Sequence, residues 1–98
     1  MAKIVWTEQS DFELKDIFDY ISKDSKKYAA NPVKRIKEKA LILKTLPESG
    51  RIVPGLGIRE IRELIEGNYR IVYQILNEEL IEILTIHHSA RDFESREI

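Results

Sequence analysis

Residues 61–92 read IRELIEGNYRIVYQILNEELIEILTIHHSARD. Side chains alternate through 69–76. Tyr69, Ile71, Tyr73 and Ile75 fall on one side, Arg70, Val72, Gln74 and Leu76 on the other, which is the period of a strand. The spacing predicts strands over 58–65, 69–76 and 80–88. Gly67-Asn68 makes the first turn and Asn77-Glu78-Glu79 the second. Three consecutive strands with short turns predict an antiparallel meander.

The chain before this segment reads differently. Ile4, Val5 and Trp6 are strand formers, so 3–6 is a short strand and Trp6 a core residue. Thr7 or Ser10 caps the next element, and Ser10-Asp11-Phe12-Glu13 has capping-box spacing. Leu14, Ile17, Phe18 and Ile21 recur on one helical face. Val33, Ile36, Ala40 and Leu43 mark a second helix, which ends before Pro47. Tyr28, Ala29 and Ala30 are helix-compatible, so this helix is expected to start early, near Ser25, and to bend at Pro32. Residues 47–57 hold three of the four glycines and two of the three prolines, and read as a loop. Residues 90–98 suit a short helix or a frayed tail. A strand, two helices and a meander in one chain of 98 residues is a single α+β domain.

Composition narrows the function classes. There is no cysteine, which removes disulfides, thiol nucleophiles and Cys-based zinc sites. No apolar run approaches the roughly 20 residues of a bilayer span. No leader-like segment precedes the first strand, so a cytoplasmic protein without a membrane partner is expected. The net charge of −1 conceals segregation. Residues 1–22 carry −3, residues 23–70 carry +6 and residues 71–98 carry −4. The Lys-rich middle suits either a polyanion contact or a solvated helix face.

Candidate chemistry gathers around the meander. If the 77–79 turn pairs Leu76 with Leu80, Arg70 falls opposite Ile86. His88 then becomes its diagonal neighbour on the same face. A shift of one residue would separate the two. Arg62 could join them, and Arg59 lies close in sequence. A histidine with guanidinium groups suits RNA cleavage, where a base takes the 2′-hydroxyl proton and cations stabilise the phosphorane. It suits plain phosphate or carboxylate binding equally. Arg91 reads as an anion contact or as a salt-bridge partner of Asp92 or Glu94. His87 and His88 point to opposite faces of a strand, so they do not chelate one metal. Gly55-Leu56-Gly57 lacks the rest of a nucleotide loop.

The whole chain resembles the RelE/ParE superfamily of type II toxin–antitoxin toxins. The resemblance runs from Trp6-Thr7 through Asp16-Ile17-Phe18-Asp19-Tyr20-Ile21 to Leu46-Pro47-x-x-Gly50-Arg51. Arg62-Glu63-Leu64, Gly67-Asn68-Tyr69-Arg70-Ile71-Val72-Tyr73 and His88-Ser89-Ala90-Arg91-Asp92 complete it. It implies a helical hairpin packed on a small antiparallel sheet. It also implies a growth inhibitor neutralised by an antitoxin from the neighbouring gene, reaching operator DNA only through that antitoxin.

Two mechanisms divide the superfamily. ParE-like members poison DNA gyrase; RelE-like members cleave mRNA in the ribosome. Arg70 falls where the nucleases carry a strand arginine, and His88 near the catalytic histidine of the YoeB-like branch. Ser89, however, stands where that branch ends in Tyr, and the chain runs on through Ala90-Arg91-Asp92 as ParE-like members do. A sequence pI near 6.1 is low for a protein that must meet ribosomal RNA. The resemblance thus favours a gyrase inhibitor. The alternative is a metal-independent endoribonuclease with Arg62, Arg70 and His88 catalytic and Arg59 and Arg91 binding RNA. A third reading is a degenerate toxin that only binds its antitoxin. None needs a cofactor. Phe12, Ile42 and Leu46 are the candidate antitoxin contacts.

Overall fold

A computed structural model describes residues 1–88 apart from Lys26 and Ala29. Strand β1 (Lys3–Trp6) leads into helix α1 (Glu8–Ser22), and helix α2 (Ala30–Ala40) follows. Two 3-10 turns, Leu41–Lys44 and Pro47–Ser49, lead to β2 (Arg51–Ile52), β3 (Ile61–Glu66), β4 (Tyr69–Asn77) and β5 (Leu80–His88). The sheet order is β1-β5-β4-β3-β2. The meander is antiparallel as expected, but β1 runs parallel to β5, so the sheet is mixed. Both helices contribute to a core with one face of the sheet. Leu14, Ile17, Ile36 and Leu43 are buried with Ile71, Tyr73, Ile81, Ile83 and Ile86.

Three local expectations are corrected. Of the two caps expected for α1 the structure uses Thr7, whose Oγ1 accepts from the Ser10 N–H at 3.1 Å, so the Ser10–Glu13 capping box is not formed. Ser10 lies inside the helix, fully buried, with its hydroxyl donating to the Thr7 carbonyl at 2.9 Å. Glu13 closes no capping box; it crosses to β5, accepting from Thr85 Oγ1 at 2.7 Å and from the Ile86 N–H at 2.8 Å. The reason is that β1 pairs with β5 only as far as Ile83. Beyond it a strand edge needs an acceptor, and a carboxylate one turn into α1 supplies it.

The second correction concerns α2, which begins at Ala30 rather than near Ser25. Pro32 then falls in the first turn, where its missing N–H costs nothing, and its ring is buried. An earlier start would put the proline inside the helix, where its ring clashes with the carbonyl four residues back. Third, residues 47–57 are not all loop. They contain a 3-10 turn and the two-residue β2, which pairs with Glu63 and Arg62 of β3.

Tyr73 ties this region to the core. Its hydroxyl donates to the Pro47 carbonyl at 2.7 Å and accepts from the Gly50 N–H at 3.0 Å. Position 50 has no room for a side chain: a Cβ there would sit 2.6 Å from the Tyr73 hydroxyl and 2.7 Å from the Glu63 carbonyl. Burial pushes the Tyr73 pKa above its usual value, and the Glu48 carboxylate adds to that; the Gly50 hydrogen bond and the Arg62 guanidinium oppose it. On the other side of β3, the Glu63 side chain is only 2% exposed and accepts from Arg51 Nε at 2.6 Å.

Candidate functional site

The register of β4 against β5 decides what the meander presents. Tyr69 pairs with His88, Arg70 with His87 and Ile71 with Ile86. The strands carry two irregularities, and the first named sets this register. One inserts Leu84 between Ile83 and Thr85, opposite Tyr73 and Val72; the other inserts Leu76 between Ile75 and Asn77. The expected Leu76–Leu80 pairing is replaced by Asn77–Leu80. Arg70 and His88 therefore lie on opposite faces, because the residue inserted at Leu84 shifts every pair beyond it by one place, whereas the insertion at Leu76 only offsets the Asn77–Leu80 start. Arg70 stands beside Ile65 and His87, on the face away from the buried row of Ile71 and Tyr73. His88 shares the helix-side face with Tyr69, edge to face at 5.0 Å between ring centroids. One sequence signal of the bulge exists: the buried isoleucines run 81, 83, then 86, a break in phase that a regular strand cannot hold.

Arg62 does not join either residue. Its Nη1 donates to the carbonyls of Gly50 at 3.0 Å and Glu48 at 3.4 Å, and its Nε to that of Arg59 at 3.1 Å. The guanidinium is engaged in holding the 47–50 turn and the end of the following loop. Arg59 is exposed in that loop. Arg91, with Ser89, lies outside the described residues. The structure thus brings Arg59 and Arg62 together, but neither with Arg70 or His88. Among the described residues no group of three or more His, Cys, Asp or Glu is placed to hold a metal. None of their helices is long and apolar enough to cross a membrane.

What the hairpin offers instead is apolar surface. A groove of about 560 Å³ runs between β1 and α2, lined by Ile4, Trp6, Phe18, Val33 and Leu41. Its rim carries Lys34, Lys37 and Lys44, with Glu38 as the one acid among the described residues. Trp6 packs against the core yet also lines this groove, so it belongs to both. Of the antitoxin candidates, Phe12 is 68%, Leu46 56% and Ile42 40% exposed, and none is spent on the core. The groove itself was not visible in sequence. The helical pattern placed Val33 inside and the lysines mostly outside, without showing that Phe18 and Leu41 stay uncovered.

A family profile described as "ParE toxin of type II toxin-antitoxin system, parDE" matches residues 4–93. The chain belongs to the ParE toxin family. Among solved structures it is similar to a chain of the chromosomal ParDE TA system from P. aeruginosa. The two are 23% identical, with a TM-score of 0.73 over 90% of this chain and 96% of that one. At that identity the likeness concerns the fold. No match is found among curated proteins. As a ParE family member the protein is the toxin of a type II toxin–antitoxin module, with a cognate antitoxin as partner. In this ParE toxin the apolar groove lies between β1 and the helical hairpin, with Arg62 and Arg70 not among its lining residues.

Proposed function

We propose that this toxin arrests growth by binding DNA gyrase, without a chemical step of its own. The observation that carries the reading is the separation of Arg62, Arg70 and His88. Nuclease chemistry needs a base and cations converging on one phosphate. Here Arg62 is committed to backbone carbonyls, and the bulge at Leu84 puts Arg70 and His88 on opposite faces. Membership of the ParE family supports the same reading.

The antitoxin docks in the groove between β1 and α2. An apolar floor with lysines on its rim fits an acidic, amphipathic segment. Among the described residues β1 is also an edge strand, which suits the addition of a partner chain. Phe12 and Ile42 extend the apolar surface outside the groove. Operator DNA is reached only through the antitoxin.

Induction of the toxin in cells, with mRNA ends and plasmid supercoiling followed together, tests the proposal. The expected result is altered supercoiling with intact mRNA, and growth arrest retained by His88→Ala and Arg70→Ala. Codon-phased mRNA cuts lost in both variants would establish the endoribonuclease instead. Normal growth, with neither effect, would leave a chain that only binds its antitoxin. For the antitoxin site, Lys34→Glu with Lys37→Glu should weaken antitoxin capture at least tenfold, in the range of about 1.4 kcal/mol.

A further inference from the structure

A second apolar groove lies at the turn end of the β4–β5 hairpin, away from His88. It encloses about 720 Å³ and is lined by Leu46, Pro47, Ile75 and Leu76, with Glu48, Glu60 and Glu78 around it. Leu76 is the extra residue of the bulge between Ile75 and Asn77, and it is 46% exposed. A bulge re-aims a side chain that a regular strand would place elsewhere. The walls are fixed before any partner arrives. Tyr73 holds Pro47 through its hydroxyl at 2.7 Å, and the Ile75 N–H donates to the Glu60 carbonyl at 2.8 Å. A preformed groove spends less on ordering when it is filled.

The groove between β1 and α2 and this one carry opposite charge. Lysines surround the first and carboxylates the second. An acidic segment that suits the first is repelled by the second. We infer that the acid-rimmed groove takes a basic, apolar-anchored segment of the toxin's protein target, apart from the antitoxin site. The inference rests on the reading above that the target is a protein. Leu46, read from sequence as an antitoxin contact, belongs to this second surface. Its side chain and Leu76 are the anchors, and the three carboxylates set the sign of the partner.

The test uses the full-length toxin carrying Glu48→Lys, Glu60→Lys and Glu78→Lys together, with Leu76→Ser as a second, uncharged variant. Antitoxin affinity is measured first and should stay within about twofold of wild type, since the substitutions lie outside the lysine-rimmed groove. Growth arrest should then need at least about tenfold more toxin in both variants. Full toxicity in both overturns the inference, whatever the wild type does to gyrase. Parallel loss of antitoxin affinity overturns it too, because the two surfaces would not be separate. A wild-type toxin that self-associates, and is dispersed by the same changes, gives the groove to a second copy and overturns the target assignment. Supercoiling by purified gyrase with wild-type toxin is judged separately: its failure removes gyrase, while the growth readout still decides the groove.

Discussion

Tyr73→Phe removes a single hydroxyl and keeps the ring. The ring is fully buried, so the substitution opens almost no cavity. The loss falls on two backbone groups. The Gly50 N–H, buried where it meets the hydroxyl, has its acceptor taken away. The Pro47 carbonyl loses its donor but lies where it is only partly buried. An orphaned buried donor costs about 1–3 kcal/mol and a partly hydrated acceptor on the order of 1 kcal/mol, so the change should destabilise by about 2–4 kcal/mol. For a chain of this size that corresponds to a fall in melting temperature of roughly 10–25 °C. Urea denaturation of both proteins at neutral pH checks the figure.

The difference should also depend on pH, with a defined sign. The folded-state pKa of Tyr73 is raised, so the stability attached to its protonated form is fully present below the unfolded value of about 10. It is lost as pH rises from there through the raised folded value. The gap between wild type and Tyr73→Phe should be constant below pH ~9 and narrow above pH ~10. A neutral-pH loss under about 1 kcal/mol, or a gap that widens in alkali, would refute the account of the hydroxyl as a buried tie.

Other elements give separate tests. Glu13→Ala should cost about 1–3 kcal/mol by leaving the Ile86 N–H without its acceptor, and amide exchange at Ile86 should accelerate ahead of that at Ile83. Thr7→Ala removes both the cap and the hydroxyl bond to the Ile83 carbonyl at 2.8 Å, for about 1–2 kcal/mol by denaturant midpoint. Ile36→Ala, at a fully buried position where α2 meets the sheet, should cost about 2–5 kcal/mol and leave the secondary structure seen by circular dichroism in place.

The elements of this fold were legible because their periods are strong. Tyr69 to Ile75 alternates cleanly, and Leu14 with Ile17 marks the buried side of α1. What escaped depends on contacts between distant residues. β2 has two residues inside a Gly- and Pro-rich stretch, too few to show any period. The bulges at Leu76 and Leu84 use ordinary apolar residues rather than glycine, so turn chemistry did not announce them. Glu13 was read as a local capping residue, since nothing near it in sequence shows that a strand 72 residues away would need its oxygens. The expected meeting of Arg70 and His88 fails at the register, because the one residue inserted at Leu84 carries His88 to the other face.

The parallel pairing of β1 with β5 has a consequence in time. Thr7 reaches Ile83 across 76 residues of chain, and among the described residues Lys3 to Trp6 have no neighbour in the sheet except Leu80 to Ile83. The first strand made must wait for the last. Strand β5 has to be present before β1 has a template, and closing so long a loop is slow. The groove floored by Ile4 and Trp6 comes into being only with it. A chain still short of Leu80 on the ribosome would therefore lack this docking surface altogether, whatever helices it had already formed.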